Sequence, residues 1–125
     1  MLRRTGDHVA QTERYEEILR RLAIIDEGLV DDPTGLGVAG ADITDPKTAA
    51  LVRVGALVAL GSPAVCVEWS ANRALAAGAT EDEITDVLLA IAPVIGLSRI
   101  AAAAPVLADA FGYDVEAALH DPDGS

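Results

Sequence analysis

Aromatic residues are scarce in this 125-residue chain: one Trp, one Phe and two Tyr make up 3% of it. A core built without many rings lacks the side chains that usually bury the most surface. There is one cysteine, Cys66, which excludes an intramolecular disulfide and gives no support for a secreted, disulfide-stapled fold. Positive charge is also thin, with nine Lys and Arg against twenty Asp and Glu and a net charge of −11. Eight of the nine basic residues precede Ala74, and after it Arg99 stands alone against nine carboxylates. No basic stripe is available to displace counterions, which argues against nucleic acid and against an anionic membrane as partners. Behind the leading MLRRTGDH there is no apolar run of the signal-peptide kind, so a cytoplasmic location is expected. The most apolar stretch, residues 87–108, is broken by Pro93, Ser98-Arg99 and Pro105, and reads as two core helices rather than a membrane span. A Gly-rich phosphate loop and zinc-type spacing are both missing, so neither a metal nor a cofactor is expected.

What the chain has is alanine, 24 of them, within a hydrophobic fraction of 51%. Small side chains suit close helix–helix contacts, and the expected fold is one all-α domain of about five to six helices. Residues 1–10 read as a flexible lead-in, residues 11–119 as the helical domain, and residues 120–125 as an acidic tail. From Gln11 to about Val30, Tyr15, Ile18, Leu22, Ile25 and Leu29 recur at steps of three and four, which predicts an amphipathic helix. Glu16 and Arg20 form an i, i+4 pair on its polar face. A glycine-rich loop follows from Gly35 to Thr44.

Asp45-Pro46 predicts a capped helix start, and the helix to Leu60 is apolar nearly all round. Such a helix is central, buried by the rest of the fold or by a partner subunit. The next stretch, Ser62 to Glu83, is strongly punctuated. Ser62 is the expected N-cap with Pro63 in the first turn. Gly78 is the expected stop, and Thr80-Glu81-Asp82-Glu83 is a capping box that opens another helix. The short turn at Gly61 makes the two preceding helices an antiparallel hairpin. The helix from Glu81 to about Ile91 turns Ile84, Val87, Leu88 and Ile91 inward, with Pro93 and Gly96 kinking or ending it. A further helix is expected over Arg99 to Ala110, and one turn near Val115–Leu119.

Candidate chemistry sits on the Ser62–Gly78 helix. Cys66, Ser70, Arg73 and Ala77 fall at i, i+4, i+7 and i+11 and share a face, with Trp69 beside them. A nearby cation would activate the thiol, and Arg73 lies in reach of the Trp69 ring for a cation–π contact. The structural alternative makes Cys66 a small buried hydrophobe and Ser70 a residue bonded to its own helix backbone. His8 and His120 sit near opposite ends of the chain, and the carboxylates Glu81, Asp82, Glu83 and Asp86 are explained largely by a helix start.

Asp45-Pro46-Lys47-Thr48, the apolar helix to Ala59-Leu60-Gly61, the run Arg73 to Thr80 and then Glu83-Ile84 together resemble the carboxymuconolactone decarboxylase family, which includes the alkylhydroperoxidase D proteins. The resemblance covers about Asp45 to Leu107. It implies an all-α domain that assembles into homo-trimers or homo-hexamers, with a small pocket at the start of the Ser62–Gly78 helix. Alkylhydroperoxidase-type members carry Cys-x-x-Cys followed by His, with a Glu on the preceding helix. In this chain those positions hold Pro63, Cys66, Ser70 and Leu51. Three functions follow as expectations. The first is a pocket for a lactone or organic acid, without two-cysteine redox chemistry, in which Cys66 and Ser70 are the catalytic candidates and Trp69 and Arg73 bind the substrate. The second is a non-catalytic oligomeric accessory protein with a decayed site. The third is a peroxiredoxin-like antioxidant using Cys66 with an external thiol.

Overall fold

A computed structural model describes residues 5–24 and 44–120, with side chains from Glu13 onward. The chain divides into two compact units, Met1–Ile43 and Thr44–Ser125. In the first unit, α1 spans Thr5–Ala23. It starts six residues earlier than the expected Gln11, so part of the expected lead-in is helical. Ile25, Leu29 and nearly all of the predicted glycine-rich loop lie outside the described residues. An exposed ion pair on α1 joins Arg20 Nη2 to Glu17 Oε2 at 2.6 Å, three residues back rather than the four that an Arg20–Glu16 pair requires.

The second unit holds α2 (Pro46–Ala59), α3 (Ala64–Ala76), α4 (Glu81–Ile95), α5 (Leu97–Phe111) and the short α6 (Val115–His120). The described residues are all-α, as the composition predicts. α2 packs most extensively against α3 and also meets α4 and α5, while α3 packs on α5. The α2–α3 hairpin is therefore the centre of the unit. Its core is made of alanine and branched aliphatic side chains: Ala50, Val54 and Val58 from α2, Val67, Ala71 and Ala74 from α3, Ile84 and Leu88 from α4, Ala103 and Leu107 from α5. Gly55 lets α4 close in, since a Cβ there would meet Val87 Cγ1 at 3.1 Å. Alanine and glycine at these crossings bring backbones close, and that proximity does the work rings would do elsewhere.

The local signals explain most of the boundaries. Asp45 caps α2, its carboxylate accepting the Thr48 N–H at 2.7 Å. Thr80 and Glu83 form the expected capping box on α4. α2 ends in a Schellman arrangement: the Gly61 N–H donates to Val58 O and the Ser62 N–H to Leu57 O. That use of Ser62 overturns its expected role. Pro63, extended at φ −56° and ψ 150°, is the N-cap of α3, and no side chain caps that helix. Gly78 closes α3 the same way, with the Ala79 N–H on Ala74 O. α4 runs through Pro93 and stops only at Gly96, whose φ is +88°. The missing proline N–H leaves Leu89 O without its helical partner, and near the C-terminal end that loss does not break the helix.

Candidate functional site

α3 carries every candidate, and its two faces differ in kind. Val67, Ser70, Ala71 and Ala74 recur at three and four and are buried. Ser70 is 3% exposed, and its hydroxyl donates to Val67 O at 2.8 Å. The proton of Ser70 is thus engaged by its own helix, as the structural alternative expects. Cys66 is half-buried and free, with no second thiol anywhere in the chain. The stripe from Cys66 to Ala77 lies along the edge between the buried face and solvent. Of its members, Ser70 turns inward while Arg73 is exposed.

Beyond that edge is the outer face, where Val65 is 72% and Trp69 59% exposed. The Arg73 guanidinium lies 5.0 Å from the Trp69 ring centroid, the cation–π contact expected from the four-residue spacing. Helical side chains lean toward the N-terminus, which carries Arg73 back over the ring one turn earlier. Trp69 and Arg73 therefore come together on the exposed side, Ser70 turns into the core, and Cys66 lies between them at the half-buried edge. Leu51, which stands where the resemblance places a carboxylate, is a half-buried residue packed on the core.

Periodicity did not reveal the link between the starts of α2 and α4. Lys47 Nζ donates to Glu83 Oε2 at 2.9 Å, while Glu83 Oε1 accepts the Thr80 N–H at 2.9 Å. One carboxylate thus closes a capping box and ties two helix starts together. The Lys47 hydrogen bond, followed by the Thr80 N–H, holds the Glu83 carboxyl below its ordinary range. The same bond raises Lys47 above its ordinary range. Asp45 is likewise lowered, chiefly by the Thr48 N–H. Both signals were visible as caps, but a separation of 36 residues hides the pairing. At the other end of α2, Arg99 Nη1 donates to Ala59 O at 2.7 Å and passes over Gly61, where a Cβ would sit 2.6 Å from it.

His120 is exposed at the end of α6, its Nδ1 2.8 Å from Glu116 O, and the side chain of His8 lies outside the described residues. Among the described residues no group of three His, Cys, Asp or Glu side chains is placed to hold a metal ion, and no helix is long and apolar enough to cross a membrane.

Comparison against protein families agrees with the all-α architecture. The carboxymuconolactone decarboxylase family model matches residues 34–109. The chain belongs to that family. No curated protein and no solved structure matches it. Within the carboxymuconolactone decarboxylase frame, the matched region contains α2, α3 and α4 whole and all but the last two residues of α5, so the candidates on α3 all fall inside it.

Proposed function

We propose that this protein is an oligomeric accessory member of the carboxymuconolactone decarboxylase family that runs no two-cysteine redox chemistry. The observation that supports this reading is the arrangement on α3. Pro63 is the N-cap, Cys66 is the sole thiol, and the Ser70 hydroxyl is spent inside the core. A dithiol relay needs two sulfurs in reach of each other, and a proton relay needs a group free to take the proton. The chain carries neither at these positions. The partner is a second copy of the chain, in keeping with the exposed apolar residues Val52 on α2, Leu60 just after it, and Val65 and Trp69 on α3.

Peroxide consumption with dithiothreitol as reductant tests the redox part. Wild type and Cys66→Ala are expected to share one background rate. Turnover that depends on Cys66 would restore the peroxiredoxin-like antioxidant reading and remove this one.

A second reading rests on Arg73, which has no carboxylate partner among the described residues and is braced on Trp69. A guanidinium so placed suits the carboxylate of a small organic acid, or of a hydrolysed lactone. Thermal-shift titration with a panel of small carboxylates checks it: stabilisation that disappears in Arg73→Gln supports the reading, and none across the panel removes it.

A further inference from the structure

The outer face of α3 has a pattern the family reading does not use. Val65, Glu68, Trp69, Asn72, Arg73 and Ala76 recur at three and four, and all six are exposed. Val65, Trp69, Asn72 and Ala76 form a seam, with Glu68 on one flank and Arg73 on the other. Neither Glu68 nor Arg73 has an ion-pair partner among the described residues. The two charges are five residues apart.

When two helices pair in parallel about a twofold axis along their length, each flank faces the opposite flank of its partner. A residue on one flank then meets the residue five positions later across the seam. An antiparallel pair would instead set each flank against its own copy, Glu68 against Glu68 and Arg73 against Arg73. The charge pattern therefore selects the parallel arrangement.

We propose that the outer face of α3 docks in parallel against the same face of a second copy, Arg73 reaching Glu68 of the partner subunit and Trp69 lying at the centre of the seam. Trp and Arg are the residue types that carry most energy at such centres. Asn72 meets its own copy, and two facing carboxamides satisfy each other while fixing the register at some cost in affinity. Packing against its own Arg73 already restrains the Trp69 ring, so less freedom is lost on pairing. The inference rests on the oligomeric reading above and adds to it the surface, the orientation and an even subunit number. A dimer satisfies it, as does a hexamer in which such pairs join two trimers. If a small carboxylate also takes Arg73, it competes with this contact and loosens the pair.

Sedimentation velocity across a dilution series tests the proposal. Wild type should associate, Glu68→Lys should raise the dissociation constant at least tenfold, and Glu68→Lys combined with Arg73→Glu should bring it back to within a few fold of wild type. In a Cys66→Ser background, Asn72→Cys should form a disulfide-linked dimer on mild oxidation, because parallel pairing sets the introduced thiols face to face. An assembly unchanged by the single reversal, or not rescued by the double, places the interface elsewhere. That result overturns the docking surface and leaves the oligomeric reading intact. A wild type that stays monomeric at every concentration overturns both, and an odd-numbered trimer overturns the twofold alone.

Discussion

The inner and outer faces of α3 come from the same 13 residues and differ in almost every physical respect. Inside are Val67, Ser70, Ala71 and Ala74: small, buried and satisfied within the chain. Outside are the only Trp, the acid Glu68 and the base Arg73. The inner face is finished by α2 and α5, and its small side chains are what let those helices approach. Among the described residues, neither charge of the outer face has an ion-pair partner, and Trp69 remains 59% exposed. The first face serves as architecture, and the second is the proposed docking surface.

Enlarging the inner face should produce the largest change. Ala71 has no exposed surface, so Ala71→Leu forces a branched side chain into a closed crossing and should cost about 1–3 kcal/mol. Urea denaturation measures it directly. Ser70→Ala should be much milder, below about 1 kcal/mol, because the Val67 carbonyl it releases keeps its helical N–H partner and no buried donor is orphaned. A large loss in Ser70→Ala would mean that the hydroxyl serves something beyond its own helix turn. On the outer face, Trp69→Ser should change protomer stability by no more than about 0.5 kcal/mol, since the ring is mostly exposed, while association weakens sharply. An effect confined to assembly separates the two faces cleanly.

The smallest effect concerns neither face, and it checks that the acid sensitivity of the fold arises elsewhere. Glu83 and Asp45 are held below their ordinary carboxylate range when folded. Their contribution is therefore present at neutral pH and fades as pH falls through that range and below it. Lys47 is shifted upward, so its share persists until the pH climbs past its ordinary value of 10.5. Glu83→Gln keeps the capping box and should flatten the acid limb of a urea-midpoint profile between pH 3 and 7. An unchanged limb would move the acid sensitivity away from the Lys47–Glu83 link.

Much of this was readable from residues alone, where the governing interactions are local. The Asp45 and Thr80 caps, the glycine stops and the inward set Ile84 and Leu88 depend on neighbours three or four positions away. So does the Trp69–Arg73 contact. The errors arise where one residue had two local uses. Ser62 is a good cap by type, but its N–H is needed to close α2, and Pro63 takes the cap position instead. Pro93 looked like a stop, and the helix continues because only one bond near its end is lost. The shared stripe from Cys66 to Ala77 was correct as helical geometry. Its members divide between core and solvent, because the direction of the core is set by α2 and α5 rather than by α3. The Lys47–Glu83 link and the passage of Arg99 over Gly61 join residues 36 and 38 or more positions apart, and no periodicity reaches that far.

Because Trp69 is the only tryptophan, its emission reports on the outer face of α3 without labelling. The most direct measurement follows that emission as wild type is diluted from hundreds of micromolar to below one micromolar. The account predicts a blue-shifted maximum in the assembled protein that moves to longer wavelength as copies separate and the ring meets water. A maximum that stays at the water-exposed position while sedimentation shows assembly would contradict it.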